Sequence, residues 1–161
     1  MKLESLMELY VQQLTDLYSA ETQLLKAWPT MAKAATAPAL REEFESHLKE
    51  THGQVARLET IFDALDKSPK GKPCKAMEGL VKEGAEAIEE DMTPEVRDAA
   101  LIAAAQRVEH YEMAGYGCVR TYAQLLGETQ AAKLLQATLD EEGKTDHALT
   151  KLAEKINVEA E

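Results

Sequence analysis

Aromatic residues make up only 5% of this chain of 161 residues, and the β-branched residues that favour strands are few. Glycine and proline are also sparse, at 8 and 5 residues. What remains is rich in alanine, leucine, glutamate, lysine and glutamine, which are strong helix formers. The hydrophobic fraction of 45% is enough for one core. These proportions predict an all-α fold in a single domain over residues 1–161.

Basic residues are outnumbered, with 18 lysines and arginines against 29 acids and a net charge of −11. A nucleic-acid or anionic-membrane surface needs a positive field, so neither partner is expected. No uncharged apolar run approaches the ~18 residues of a membrane span. The first residues, Met1 to Glu4, lack the apolar segment of a signal peptide. We therefore expect a cytoplasmic protein.

The two cysteines, Cys74 and Cys118, form no CxxC motif and are too few for a disulfide scaffold. Because no thiolate cluster exists, the sequence offers no site that would select zinc or copper. Any metal chemistry has to come from carboxylates and imidazoles.

Helical periodicity predicts four long helices and one short one. The long helices are expected at about 3–34, 39–66, 94–126 and 129–156, and the short one at 74–90. Pro29 favours a kink or an early end of the first helix. Thr93 and Pro94 are typical of an N-cap and the first helical position, and Gly127 of the residue after a helix. The connector between the two hairpins has roughly 28 residues, which predicts an antiparallel four-helix bundle with one long crossover carrying the short helix.

Acidic residues interrupt the apolar stripes that should face the core. Core positions recur at alternating steps of three and four, and the residues at these positions are apolar towards both ends of each long helix. The second helix is less regular, with Glu50 one position beside its stripe. The polar candidates for a shared site, in or beside the middle of the four stripes, are Glu21, His47, Glu50, Gln54, Glu109, Glu112, Glu142 and Asp146.

These acids are expected to lie at one depth in the bundle. Glu112 and Glu142 are each 15 residues from Gly127, so both lie roughly 22 Å from that turn at about 1.5 Å per residue. Glu21 and Glu50 are at a similar distance from the first turn, near residue 37. The sequence therefore predicts that carboxylates of all four long helices meet.

Any single acid of this kind is more often found on a solvated helix edge. The joint pattern is harder to explain that way, because no lysine or arginine shares the stripe positions. Like charges in a low-dielectric core repel, and each also loses its hydration. Proton sharing relieves part of this cost, and divalent cations relieve more of it, as in di-iron and di-manganese bundles. We therefore predict a metal centre.

Ligand chemistry favours iron or manganese over other metals. Carboxylates with one or two imidazoles suit these ions, whereas an all-oxygen site also admits magnesium or calcium. A rigid cage inside a bundle suits calcium poorly. His47 is on its stripe and is expected to bind the metal or to support a ligand, and Gln54 offers a neutral oxygen.

Several stretches of the chain resemble one known family. They are Asp16–Glu21, His47–Thr51, Arg97–Ile102, Glu109–Glu112 and Leu139–Glu142 with Asp146. In order and spacing these stretches are similar to the bacterial YciF/YciE-like proteins, a ferritin-like, rubrerythrin-related group associated with stress responses. The resemblance covers about residues 3–156.

The resemblance implies a ferritin-like bundle, a centre of two iron or manganese ions and a homodimer. Glu21 matches the glutamate of the first helix in that pattern, and Glu50 that of the second. Glu109 and Glu112 match the paired glutamates of the third long helix, and Glu142 that of the fourth. The sequence departs from the pattern at Gly53 and Thr145, where Glu-x-x-His motifs would place imidazoles.

Three functions follow as hypotheses. The first is a di-metal protein that oxidises Fe(II) or reduces peroxide, since two ions about 3.5–4 Å apart can act on an O–O bond together. The second is a non-enzymatic dimeric stress protein whose metal is structural or absent, which the missing imidazoles favour. The third is iron storage, which requires a multi-subunit shell.

Overall fold

The structure, a computed structural model, describes residues 3–161, and this part of the chain contains helices and no strand. The helices are α1 (Leu6–Ala34), α2 (Pro38–Ala64), α3 (Lys75–Glu89), α4 (Pro94–Leu125) and α5 (Thr129–Glu159). The all-α prediction is confirmed, and the predicted helix bounds differ from these by at most three residues.

Local sequence signals explain several helix ends. The Ser5 hydroxyl accepts a hydrogen bond from the Glu8 amide, while the Glu8 carboxylate accepts one from the Ser5 amide, which is a capping box. Thr93 caps α4, and Pro94 stands at its first position, as predicted. Gly127 has φ +77°, a left-handed conformation that glycine adopts without strain, and it turns the chain into α5.

Two helices continue where the sequence favoured an interruption or an end. Pro29 does not end α1, which runs on to Ala34. Pro29 is exposed, whereas Trp28 and Met31 are buried, so core packing outweighs the hydrogen bond that proline cannot make. The last helix, α5, extends to Glu159, three residues beyond the predicted end.

The four long helices form a ring in which neighbouring helices are antiparallel. Helix α1 packs against α2 and α4, and α5 packs against the same two helices from the other side. Helices α2 and α4 therefore lie on a diagonal and run in the same direction. The segment that joins them has to cross the length of the bundle, and it carries α3, which packs on α1 and α4.

Two residues of α4 fix its packing on α1, one at the end of the interface and one near its middle. The buried carboxylate of Asp98 in α4 accepts hydrogen bonds from the Thr36 and Ala37 amides at 2.8 and 2.7 Å, in the turn between α1 and α2. At Gly115, an added Cβ would lie 2.7 Å from a methyl carbon of Leu17. Glycine at this position therefore lets α4 lie close to α1 beside the polar centre of the bundle.

Candidate metal centre

The buried apolar residues form two clusters, with a polar layer between them. One cluster contains Trp28, Phe44 and Leu101, and the other contains Tyr10, Leu58 and Tyr116. The helical stripes therefore change from apolar to polar and back again, as the sequence pattern predicted. Side chains in the polar layer are shielded from water at both ends.

Four glutamates of this layer are fully buried: Glu21 on α1, Glu109 and Glu112 on α4, and Glu142 on α5, each 0% exposed. His47 on α2 is 1% exposed and completes the layer. Glutamate is seldom buried without a partner, so five ionisable side chains without a lysine or arginine among them need a specific explanation.

One group of ligand-bearing side chains is close enough to surround a single ion. One ring nitrogen of His47 and one carboxylate oxygen each of Glu109, Glu112 and Glu142 all lie within 4.8 Å of one another. Within this group, His47 Nε2 lies 3.3 Å from Oε1 of Glu109 and 3.4 Å from Oε2 of Glu142. Such a group can hold a divalent metal ion.

Most polar atoms that face this space have no hydrogen-bonding partner. Both oxygens of Glu109, Glu112 and Glu142 lack a donor, as do Oε2 of Glu21 and the Nε2 atom of His47. The groups around these oxygens are other carboxylates and the His47 imidazole, and two ionised carboxylates cannot bond each other. A proton or a cation is therefore needed between them, and a divalent cation fits this set of donors.

The pKa values express the same conflict. Burial, followed by repulsion from neighbouring glutamates, raises the pKa of Glu21, Glu109 and Glu112 well above the usual range. Burial also raises the pKa of Glu142, although contacts with Glu109 and His47 oppose it. Without metal, this layer therefore holds protons that a cation would displace.

The orientation of His47 suits a metal ligand. Its Nδ1 lies 3.2 Å from Oε2 of Glu50, and a hydrogen bond from His47 is the main cause that lowers the pKa of Glu50. Because an ionised Glu50 can only accept, Nδ1 carries the hydrogen in this contact. In the neutral imidazole, Nε2 then has a free lone pair directed at Glu109 and Glu142.

Two further side chains hold the imidazole in place. The Thr145 hydroxyl lies 3.1 Å from His47 Nδ1 and donates to Oε2 of Glu50 at 3.4 Å. The ring of Trp28 packs edge-on against the imidazole, with centroids 5.0 Å apart. Thr145 occupies one of the two positions where a Glu-x-x-His motif would place a histidine. Here its hydroxyl contacts the imidazole of His47, which comes from α2.

On α1, Glu21 joins the layer through two neighbours. The hydroxyl of Tyr116 donates to Oε1 of Glu21, and both side chains are fully buried. A contact with Glu112 also contributes to the pKa of Glu21. Glu21 therefore connects α1 to the acids of α4, with one oxygen bonded and the other without a donor.

One side of the layer is closed by a network between α2 and α5. Arg57 makes two hydrogen bonds to the carboxylate of Glu141, at 2.6 and 2.7 Å, and Gln54 Nε2 donates to the same carboxylate at 3.2 Å. Oε1 of Gln54 is buried without a donor. Sequence reasoning did not single out Arg57 and Glu141. Their opposite charges at matching depths on α2 and α5 were the available signal.

The remaining sequence-predicted residues lie at the edge. Glu50 is 26% exposed and meets the layer through His47. The carboxylate of Asp146 is 22% exposed and turns to α4, where Oδ1 lies 3.2 Å from both His110 Nε2 and Gln106 Nε2. Asp146 is therefore outside the four-residue group, although its charge still contributes to the raised pKa of Glu109. The roles of these side chains as metal ligands stay predictions.

No helix within residues 3–161 combines the length and the apolar character that crossing a membrane would require.

Comparisons with known proteins agree with the earlier resemblance. The family model described as "Domain of unknown function (DUF892)" matches residues 5–161. Protein YciF of Escherichia coli strain K12 is 46% identical over 163 residues, which cover 100% of this chain and 98% of that protein.

Solved structures show the same relationship. The structure of the E. coli stress protein YciF has a TM-score of 0.93 at 46% identity and covers 96% of this chain and 98% of its own. YcfI of Rhodopseudomonas palustris has a TM-score of 0.89 at 38% identity, with 92% and 95% covered. A protein of Xanthomonas campestris pv. campestris, at 22% identity and a TM-score of 0.77 with 96% and 94% covered, shares the fold. The chain therefore belongs to the family that the DUF892 model describes, and it is a YciF-like protein.

Proposed function

We propose that this protein is a ferritin-like di-metal protein of the bacterial stress response, acting in the cytoplasm as a homodimer. The observation that carries the proposal is the set of buried carboxylate oxygens without donors that face the Nε2 atom of His47. Iron fits these ligands best, and manganese is the alternative metal. The stress-response context comes from the similarity to YciF.

The ligands we assign are the four buried glutamates and His47. Glu109, Glu112 and Glu142 surround one position together with His47, and Glu21 adjoins Glu112 from α1. Gln54 offers its unpaired Oε1 from α2. Glu50 orients His47 from the solvent side, and Asp146 adds negative charge near Glu109.

Two bound iron ions would supply electrons for the reduction of peroxide or dioxygen. The protein supplies the setting for that chemistry. Its carboxylates favour the higher oxidation state of a metal, and its two apolar clusters limit the access of water to the centre. The Tyr116 hydroxyl keeps one oxygen of Glu21 occupied and so fixes the direction of the other.

Anaerobic loading with Fe(II), followed by hydrogen peroxide, tests this function. We expect two Fe(II) ions per chain to bind, a near-ultraviolet absorption to rise as they are oxidised, and peroxide to be consumed. Glu109→Gln should lose all three effects, whereas Glu45→Gln, at an exposed position of α2, should retain them. Binding of Fe(II) without any peroxide- or oxygen-dependent change in absorption would contradict the redox function.

The second candidate is a non-enzymatic stress protein in which the metal only stabilises the bundle. The observation that favours it is the single imidazole of the layer, because His47 is the one histidine among the buried polar residues described. The R. palustris relative is itself described as a candidate structural protein. This alternative predicts a metal-dependent Tm with no peroxide consumption. Size-exclusion chromatography with light scattering tests the homodimer, and a shell of many subunits would point to storage.

A further inference from the structure

An apolar cavity lies between α1 and α3, on the side of the bundle opposite the contact between α2 and α5. Its volume is about 790 Å³. The side chains that form its walls are largely aliphatic, and they include Leu24, Met31, Leu80, Val81, Ile88 and Val108. Along α3 the apolar part of the wall extends from residue 80 to residue 88, a length of about 12 Å at 1.5 Å per residue.

Small residues form part of the cavity wall. Ala27 on α1, Gly84 on α3 and Ala104 on α4 all line it, where larger side chains would fill the space. A Cβ added to Gly84 would meet only the Ala104 Cβ at 3.9 Å and the Met31 sulfur at 4.0 Å, which are ordinary contacts. An alanine would therefore fit at this position, so helix packing does not require glycine here. The fold itself does not require the cavity to be open.

Three charged side chains line the cavity, namely Lys26, Lys70 and Glu78. Lys26 and Lys70 both line the cavity and are exposed, and neither has an ion-pair partner within residues 3–161. Glu78 also lines it, but its carboxylate is paired with the Lys75 ammonium group at 2.6 Å. Two unpaired cations therefore border an apolar space.

We propose that this cavity binds a single-chain anionic amphiphile of the fatty-acid class. The aliphatic walls accept the hydrocarbon chain, and their length of about 12 Å suits a chain of medium length. Lys26 and Lys70 attract the carboxylate at the rim. The observations that support this site are separate from those that support the metal centre, and metal-free protein should bind the ligand equally well.

Isothermal titration calorimetry with decanoate tests the site, with decanol and decyltrimethylammonium as probes of matched length. Decanoate should bind with one molecule per chain, and the cationic probe should bind weakest. The double variant Lys26→Gln/Lys70→Gln should lower the affinity for decanoate by about tenfold and the affinity for decanol by less than about twofold. The control Lys82→Gln, whose ammonium group pairs with Glu86 on α3, should change neither.

Filling the cavity gives an independent test. Gly84→Leu extends a side chain into the cavity and should lower the affinity for decanoate by at least about tenfold. Gly84→Ala leaves most of the volume open and should bind decanoate as tightly as the wild type. If Gly84→Leu does not fold, Ala27→Leu fills the same space from α1. Retained binding in a folded filling variant would overturn the proposal.

The other outcomes are also decisive. Equal affinity for decanoate and decyltrimethylammonium would show that the lysines do not select the ligand and would overturn the proposal. Binding to anionic vesicles without binding of decanoate would assign the surface to a membrane instead. If Gly84→Leu disrupts a dimer that decanoate leaves unchanged, the cavity is an interface between two copies of this chain.

Discussion

The Nε2 atom of His47 lies 3.3 Å from Oε1 of Glu109, and both side chains are almost completely removed from water. Neither atom has a hydrogen-bond partner. An imidazole lone pair and a carboxylate oxygen that face each other in this way repel, unless a proton or a cation lies between them. Which of the two is present determines how the stability of this protein responds to pH and to metals.

The stability of the metal-free protein should fall as the pH rises. Burial raises the pKa of Glu21, Glu109 and Glu112 in the folded state, so the folded protein retains protons that the unfolded chain has released. The stabilisation is complete below the ordinary glutamate pKa and is lost as the pH passes through the raised values. Urea unfolding at about pH 5 and about pH 7.5 should give a lower free energy of unfolding at the higher pH.

Saturating Mn(II) or Fe(II) should reverse this trend, since metal binding requires deprotonated ligands. A metal-free protein that is more stable at neutral pH than at mildly acidic pH would contradict the pKa shifts of these glutamates.

Glu112→Gln should stabilise the metal-free protein by about 1–3 kcal/mol at neutral pH, because a neutral amide can be buried without the proton that Glu112 has to take up on folding. The same change should abolish the rise in Tm that divalent metal causes. Thermal unfolding with and without metal measures both effects. Glu45→Gln, at an exposed position of α2, is the control and should leave both unchanged. A Glu112→Gln variant with normal metal stabilisation would exclude Glu112 as a ligand.

Thr145→Val should weaken metal binding by about tenfold or more, because it removes a hydroxyl that supports the imidazole of His47, which we propose as a ligand. That hydroxyl contacts His47 Nδ1 and donates to Glu50. Metal titrations compare this variant with Thr60→Val, whose hydroxyl bonds only the backbone of its own helix. Equal affinities in the two variants would show that Thr145 does not orient His47.

Tyr116→Phe should lower the free energy of unfolding of the metal-free protein by about 1–3 kcal/mol, since Glu21 loses its donor in a fully buried position. Chemical denaturation measures the loss. Tyr122→Phe is the matched control on α4, because Tyr122 is only partly buried and has no hydrogen-bond partner among residues 3–161. An equal loss of stability in both variants would show that the hydrogen bond from Tyr116 to Glu21 does not stabilise the folded protein.

Helix positions and the depth of the acidic layer could be predicted from the sequence because both depend on local periodicity. Glu21, Glu109, Glu112 and Glu142 follow the core stripes of their helices and are buried. Glu50 is one position beside its stripe, and accordingly it is partly exposed.

The orientation of individual side chains around the layer depended on distant residues, so it could not be predicted. After Glu142, the step of four to Asp146 and the step of three to Thr145 are equally compatible with a core stripe. In the structure Thr145 faces inward and Asp146 contacts His110 and Gln106 instead. The direction of the His47 ring likewise depends on Trp28 and Thr145, which belong to other helices.

Elemental analysis of the protein, purified from cells with native iron and manganese supply, tests the central claim most directly. We predict two iron or manganese ions per chain, with a marked loss of metal in Glu109→Gln and Glu112→Gln but not in Glu45→Gln. Only trace metal in the wild-type protein, together with no binding of Fe(II) or Mn(II) in anaerobic titrations, would contradict a metal centre at these glutamates.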